Sequence, residues 1–531
     1  MGLASLLALV LSAPIGAAAP AQRAAAQVRP GEDLFRDTLA TVGPHVITGV
    51  DLVQRIEWMP WTEKQGRAGM DSAKVRALQS LVGEVLLAQE AALQGLGDSG
   101  PVARMRAALR KALVRDALYR DVAASASDVS AGQVDRVVRH RASHARPEVQ
   151  RALRRAVSDS LKQLAEHDRA AWFMRRALGG QRATVDSATF MLLADSLRSL
   201  MVATPEPMRS PYGHPLRPEY VDALLTRLAL SLERPLVRLP DGPLSLGEML
   251  EGLRFYTVSF RSLAPRRFAV ELSAALKQVV EGEMMAREGL RRHLDDRPEV
   301  QRDLEMWTSA WRARLLLERV AAGPGASEDE ALRHFALFEP ERARQTCEVD
   351  VAEILSTTRE RANQVRSLLE AGSSFDSLAR AASARLEWAA RGGRSGFFPV
   401  AQHMHLGYAA LLSPIDSLWG PTRLPEGFSV FRVRGKRLAP DSVAVRPLLE
   451  RMRAEATAAR RAERVAECVT SLAERTRVSI NYSVLREVDV LPSNMLTKRL
   501  LGFGGGMLGA PSLPRLWDWA QVWYASHPTR P

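Results

Sequence analysis

In the stretch CEVDVAEILST, residues 347–357, one carboxylate stands in a row of apolar side chains. Val349, Val351, Glu353 and Leu355 alternate with Asp350, Ala352 and Ile354, the period of two that belongs to a β-strand. Glu353 therefore shares the face expected to be buried. There it has to be paired, protonated or wet, because an unpaired buried charge is costly. Other chemistry-bearing residues ask for less. His403 and His405 flank Met404, but two histidines with no third ligand suit a surface loop better than a metal. His140 and His144 are four apart, a spacing that suits one helical face, yet Arg139, Arg141 and Arg146 would repel a cation there. The run GFGGGMLG (502–509) lacks the Gly-Lys-Ser/Thr ending of a phosphate loop. No serine or cysteine is set with a base for nucleophilic catalysis. Cys347 and Cys468, the only cysteines, lack zinc spacing and leave open either a disulfide or two separate core thiols. No metal and no cofactor are expected.

The elements that must position these residues follow from periodicity. HVITGVDLVQRI (45–56) has the pattern of a short strand, a turn and a helix start. The next run repeats apolar residues at three and four (Val75, Leu78, Leu81, Val82, Val85, Leu86), which predicts a helix, and ARMRAALRKALVRDALYRDVA predicts another. The same order returns at LVRLPDGPLSLGEMLEGL (236–253) and the helices after it. Leu86 to Glu90 matches Met284 to Glu288 and Val102 matches Val300, all 198 residues apart, and Ser130 matches Ser327 at 197. So constant an offset indicates an internal duplication. Ser327 and Glu330 form a capping box that starts a helix. Met284, Met285, Trp307 and Trp311 are assigned to packing. The expected organisation is a signal peptide at 1–26, a first helical module at 27–140 and a helical insert with a proline-rich linker at 141–230. A second module follows at 231–340, a strand-and-helix domain at 341–440, a helix and strand (VSINYSVL) at 441–487, and a Gly/Trp-rich tail at 488–531.

Composition excludes some functions. The net charge of +13 would ordinarily suggest a polyanion partner, but only seven of 73 basic residues are lysine, and the arginines are spread among Glu and Asp rather than clustered. No nucleic-acid partner is expected. The N-terminal apolar run is too short and Ala-rich for a membrane span and has the shape of a secretory signal ending at AAA before Gln27. No transmembrane segment is expected, and the location is periplasmic or otherwise extracytoplasmic. The tail's Trp517, Trp519, Trp523 and Tyr524 have three candidate destinations: docking on the core, client contact, or peripheral membrane contact.

Residues 349–437 resemble a parvulin domain, the small α/β fold of one class of peptidyl-prolyl cis/trans isomerases. The pieces come in order: VAEILS, TTRERANQVRSLLEAG, SSFDSLARAAS, RGGRSGFF and GPTRLPEGFSVFRVRGKR. The spacings from Ser383 to Gly392-Gly393 and from Gly420-Pro421 to Gly427 are those of the family. With the flanking helical modules and returning strand, the chain is similar to the SurA-like extracytoplasmic foldases. The fold class implied is multidomain, mainly α-helical, with SurA-like chaperone modules plus one α/β parvulin-like domain.

The resemblance also implies a site. Glu353 falls on the first family histidine, Ser429 on the second, and Arg385 on the position usually held by Cys or Asp. Glu353 and Arg385 would then be neighbours and are expected to pair. Phe398, Met404 and Tyr408 fall on the proline-binding positions, while Ser395 replaces the usual leucine. Turning an X–Pro bond needs no nucleophile, only a held ring and electrostatic stabilisation of the twisted amide. The function expected is thus a foldase or chaperone for unfolded exported polypeptides, outer-membrane proteins among them, with weakened or lost isomerase activity. The alternatives are an active isomerase and a structural docking subunit of an envelope complex.

Overall fold

Gly43, at φ +57°, turns the chain between β1 (Thr38–Val42) and β2 (His45–Thr48), a left-handed conformation that favours glycine. Thr48 N–H donates to Asp51 at 2.8 Å and starts α1 (Gly49–Ile56). The computed structural model describes residues 37–124, 129–142, 147–179, 183–204, 213–440, 443–490 and 499–526. The signal segment 1–26, His144 and most of the proline-rich linker lie outside the described residues. Helices α2 (Gly66–Leu93), α3 (Gly100–Ala124), α4 (Ala131–Ala142), α5 (Pro147–Leu178), α6 (Ser187–Ala203) and α7 (Pro218–Arg227) follow, with the short strands β3 (Thr184–Val185) and β4 (His214–Pro215).

A second hairpin then forms from β5 (Pro235–Leu239) and β6 (Gly242–Ser245), and Ser245 and Glu248 cap α8 (Leu246–Leu253) reciprocally at 3.2 and 3.0 Å. After β7 (Ser259–Phe260) come α9 (Pro265–Arg291) and α10 (Pro298–Ala321). The two hairpins and their short helices begin at residues 38, 45 and 49 and again at 235, 242 and 246. Each hairpin gains a third strand. β3 adds to β5, and β12 (Val478–Ile480) returns to pair antiparallel with β1, Ala40 opposite Ile480.

Contacts divide the chain into two units, residues up to 317 with those from 469, and residues 318–468. In the first, one core joins α6, α7, α8 and α9 to the second hairpin around Leu197, Leu224, Leu236, Met249 and Phe268. Another gathers α3, α9 and α10 around Leu113, Met285, Val300 and Leu304, so Met285 packs as expected. Helix α2 is buried on nearly all sides from Ser80 to Ala88. Ser80, Gly83 and the Gln79 carbonyl face the tail: Leu516 N–H donates to Ser80 Oγ at 3.3 Å and Trp519 Nε1 to the Gln79 carbonyl at 3.1 Å.

The second unit holds α11 (Glu328–Phe338), α12 (Pro340–Thr346) and a four-stranded antiparallel sheet in the order β10-β11-β8-β9. Its strands are β8 (Cys347–Ser356), β9 (Arg394–Pro399), β10 (Leu418–Leu424) and β11 (Gly427–Leu438). Between them lie α13 (Arg359–Glu370), α14 (Phe375–Ala382), α15 (Leu386–Ala389) and α16 (Met404–Leu412). The alternation of β8 divides two cores. Val349, Val351 and Leu355 pack with Phe335, Leu406 and Phe431, whereas Ile354 packs with Val365, Ala379 and Val430. The chain is thus mainly helical with one α/β domain in the element order of a parvulin. Helix α17 (Arg446–Arg475) then leads towards β12.

One expected strand is shorter than its sequence suggests. Of VSINYSVL only Val478–Ile480 is extended, because Asn481 accepts from Val484 N–H at 3.1 Å and starts α18 (Tyr482–Glu487). The tail forms the hairpin β13 (Arg499–Leu500) and β14 (Met507–Leu508), then α19 (Asp518–Ser526). Trp519 and Trp523 are buried, and Trp517 lies between Arg76 and Arg515. Cys347 and Cys468 are not joined in a disulfide; burial pushes the Cys347 thiol up to about 12. Among the described residues no helix is long and apolar enough to cross a membrane.

Candidate functional site

Glu353 lies in the middle of β8, opposite Phe431 of β11, and is 0% exposed. Its N–H donates to the Gly393 carbonyl at 2.8 Å. Gly393 sits at φ +85°, and a Cβ there would come within 2.7 Å of the Glu353 carbonyl oxygen, so this close approach requires glycine. The Ser383–Ala384 segment is zipped onto Leu355, two residues further along the strand. Leu355 N–H donates to Ser383 Oγ at 3.1 Å, and Ala384 N–H donates to the Leu355 carbonyl at 2.7 Å. That attachment delivers Arg385 to Glu353.

The two pair as expected: Arg385 Nε donates to Glu353 Oε2 at 2.7 Å. Ser429 Oγ, buried on β11, donates to Oε1 at 2.8 Å. The three residues expected at the family's site positions therefore form one cluster, and both carboxylate oxygens are engaged. Burial is the largest influence on the Glu353 carboxyl and pushes it up, with Arg385 and then Ser429 pulling the other way. Arg385 also stacks over the Trp388 ring at 4.7 Å and lies 3.7 Å from Glu426.

The three residues expected to bind proline divide. Phe398 is buried, 5.6 Å from the Trp388 ring and 5.3 Å from His403. Met404 is half exposed and follows His403 directly. Tyr408 is engaged elsewhere: its hydroxyl donates to the Ala336 carbonyl at 2.9 Å and Arg344 stacks over its ring. The structure thus adds Trp388 and His403 to the wall beside Arg385, neither of which sequence reasoning assigned to it. Burial and then Arg385 hold His403 below the ordinary imidazole range, so at neutral pH it serves as an aromatic surface. A signal for Trp388 was available, since it lies three residues after Arg385. Ser395 lies where the β8–β9 register shifts and accepts from Val351 N–H at 3.0 Å. No cluster of three or more His, Cys, Asp or Glu suited to a metal exists among the described residues. Chemically, the arrangement offers an aromatic wall edged by a guanidinium, with its buried carboxylate already engaged.

No protein-family description and no curated protein matches the chain. Solved structures similar to parts of it include a PpiC-type peptidyl-prolyl cis-trans isomerase domain at 27% identity, covering 18% of this chain and 98% of that one, with a TM-score of 0.18. The peptidylprolyl isomerase PrsA from Bacillus anthracis is 19% identical over 32% of this chain and 73% of its own, with a TM-score of 0.19. A third structure, described with PEB4 and Cj1289 as SurA-like chaperones of Campylobacter jejuni, is 14% identical over 39% of this chain and 85% of its own, with a TM-score of 0.18.

Proposed function

We propose that the protein is an extracytoplasmic foldase or chaperone that holds unfolded, proline-containing polypeptides and has weak or no isomerase activity. The observation that carries this reading is the closed Glu353–Arg385–Ser429 cluster. Where the resembled family places a polar catalytic group, the carboxyl accepts from Arg385 and Ser429, so that both of its oxygens are already engaged. The apolar part of the site remains, with Phe398, Trp388 and His403 as a wall and Met404 exposed beside it. Such a surface grips a proline ring or an apolar side chain without turning the bond.

The domain limits read from the sequence and the duplication of the hairpin–helix module belong to the same proposal. The equal spacing of β1, β2 and α1 against β5, β6 and α8 supports it. Clients would be exported chains, outer-membrane proteins among them. Any membrane contact by the tail would fall to Trp517 and exposed Val522, since Trp519 and Trp523 are buried.

One observation favours an active isomerase as the second reading. Arg385 Nη2 has no hydrogen-bond partner and could donate to the oxygen of a twisted amide. Cis-to-trans relaxation of a proline peptide series decides between them. The proposal expects the uncatalysed rate for every residue before proline, together with suppression of aggregation of an unfolded client. Acceleration that Arg385→Lys abolishes would replace it with the second reading.

A further inference from the structure

Between α3, α8 and α9 lies a cavity of about 110 Å³ whose floor is charged. Arg115 is 3% exposed and Glu251 1%. Arg115 donates to the Tyr256 hydroxyl and stacks over its ring at 4.7 Å, but its Nε and Nη2 have no hydrogen-bond partner. The neighbouring Asp116 is engaged with the tail, accepting from Gly502 N–H at 3.0 Å and lying 3.3 Å from Arg499 Nε. Glu251 accepts from Arg254 Nε at 2.6 Å through Oε2, whereas Oε1 has no hydrogen bond and Arg104 Nε stands 3.8 Å off. Buried guanidinium N–H groups without an acceptor and a buried carboxylate oxygen without a donor are each costly. Burial also pulls Arg115 below the usual guanidinium range.

The other charges at the cavity close on each other, Lys111 Nζ binding Glu248 at 3.0 Å and Glu283 at 2.8 Å. Between floor and rim the wall is small and apolar, with Ala108, Ala112, Gly252 and Val279. The rim reaches solvent at Ala107 and Arg104.

We infer that this cavity binds the C-terminal residue of a polypeptide, with its carboxylate on Arg115, its backbone N–H on Glu251 Oε1 and a small side chain against Ala108 and Val279. Both unmatched polar groups are then satisfied by one ligand. A free short-chain acid would satisfy Arg115 alone and leave Glu251 without a donor. The chain end is therefore the better fit.

The inference rests on the polypeptide-binding reading and names a feature of the client, so its test separates the two. The full chain is titrated calorimetrically with acetyl-Ala-Ala-Ala as the free acid, with the same peptide as its C-terminal amide, and with propionate. The free acid should bind, and the amide and propionate at least tenfold more weakly. Ala107→Phe, at an exposed position on the rim, should abolish binding with Tm unchanged, and Arg115→Met should abolish it in a chain of unaltered circular dichroism. Amide or propionate binding as tightly as the free acid, or binding that survives Ala107→Phe, overturns the assignment. A chain that suppresses client aggregation yet binds no free-acid peptide sinks this inference alone. One that does neither sinks the function proposed above as well.

Discussion

Under the proposed duplication, Arg55 and Glu84 of the first hairpin–helix module fall on Gly252 and Gly282 of the second, 197 and 198 residues further on. In the first module the guanidinium forks onto the carboxylate at 2.8 and 2.6 Å, with side chains 3% and 5% exposed. Arg55 also reaches the Ser512 carbonyl at 3.3 Å, which ties the pair to the tail. In the second module the same two places carry no side chain and line the cavity above Arg115 and Glu251. A Cβ on Gly282 would collide with the Tyr256 hydroxyl. One module therefore fills the space between its short and long helices with an ion pair, and the other leaves the space open above polar atoms that have no hydrogen-bond partner, Arg115 Nε and Nη2 and Glu251 Oε1. Buried charge alone does not mark a binding site. The Arg115 cavity is distinguished by the space left open beside such groups, since Arg55 Nε likewise has no hydrogen-bond partner but lies in a filled site.

The comparison breaks most severely at Glu84. Glu84→Ala leaves Arg55 buried without its carboxylate and should cost about 3–5 kcal/mol, the usual penalty for removing one partner of a buried pair. Urea unfolding of the full chain measures it, and proteolysis of the tail should accelerate in parallel. Replacing both partners, Arg55→Met with Glu84→Leu, should cost much less, since no uncompensated charge remains. If the double variant is as unstable as the single, the pair contributes more than mutual neutralisation. Next in size is Arg385→Ala in the parvulin-like domain. Glu353 is 0% exposed and would lose its cation, at a cost of about 3 kcal/mol at pH 7. Hydrogen exchange of the β8 and β11 amides reports it, and the loss should shrink as the pH falls and Glu353 takes up a proton.

Gly252→Ala sharpens the comparison from the other side. A Cβ there meets Val279 Cγ1 at 2.9 Å, while the helix gains up to about 1 kcal/mol from losing a glycine. Stability should therefore change by no more than about 1 kcal/mol, while affinity for the free-acid peptide falls at least tenfold. Unchanged affinity would mean that Gly252 is packing and not pocket.

These sites were unequally legible in the sequence. Glu353 announced itself because a strand's period of two puts a charge visibly out of place among Val349, Val351 and Leu355. Arg385 and Ser429 followed from the spacings of a resembled domain, and the pairing of Glu353 with Arg385 is what the structure has. The division of Phe398 and Met404 from Tyr408 was not legible. It depends on which way α16 presents its residues to α11, a tertiary fact that spacing does not encode. Nor was the cavity, since Arg115 looks like any other arginine on a helix rich in them. What exposes it is the absence of side chains at Gly252 and Gly282 together with the burial supplied by α3, α8 and α9. The extended run VSINYSVL misled because Asn481 competes locally as a helix cap.

The smallest effect is expected at Glu353 itself, and its sign is informative. Burial raises this carboxyl more than Arg385 and Ser429 lower it. A carboxyl raised in the folded state contributes stability that is fully present below the unfolded value and is lost as pH rises through the folded one. Ionisation of Glu353 thus works against the fold despite the pairing. Glu353→Gln keeps the shape and both hydrogen-bonding positions, and Arg385, 17% exposed with Glu426 3.7 Å away, is not stranded. The variant should lose no more than about 1 kcal/mol at acid pH, where both side chains are neutral, and should gain on the parent chain as pH rises towards 8. Hydrogen exchange of the β8 amides at several pH values, corrected for intrinsic rates, gives the difference directly. A loss that instead grows with pH would mean that the ionised pair stabilises the domain. The Glu353 cluster would then resemble the Arg55–Glu84 pair.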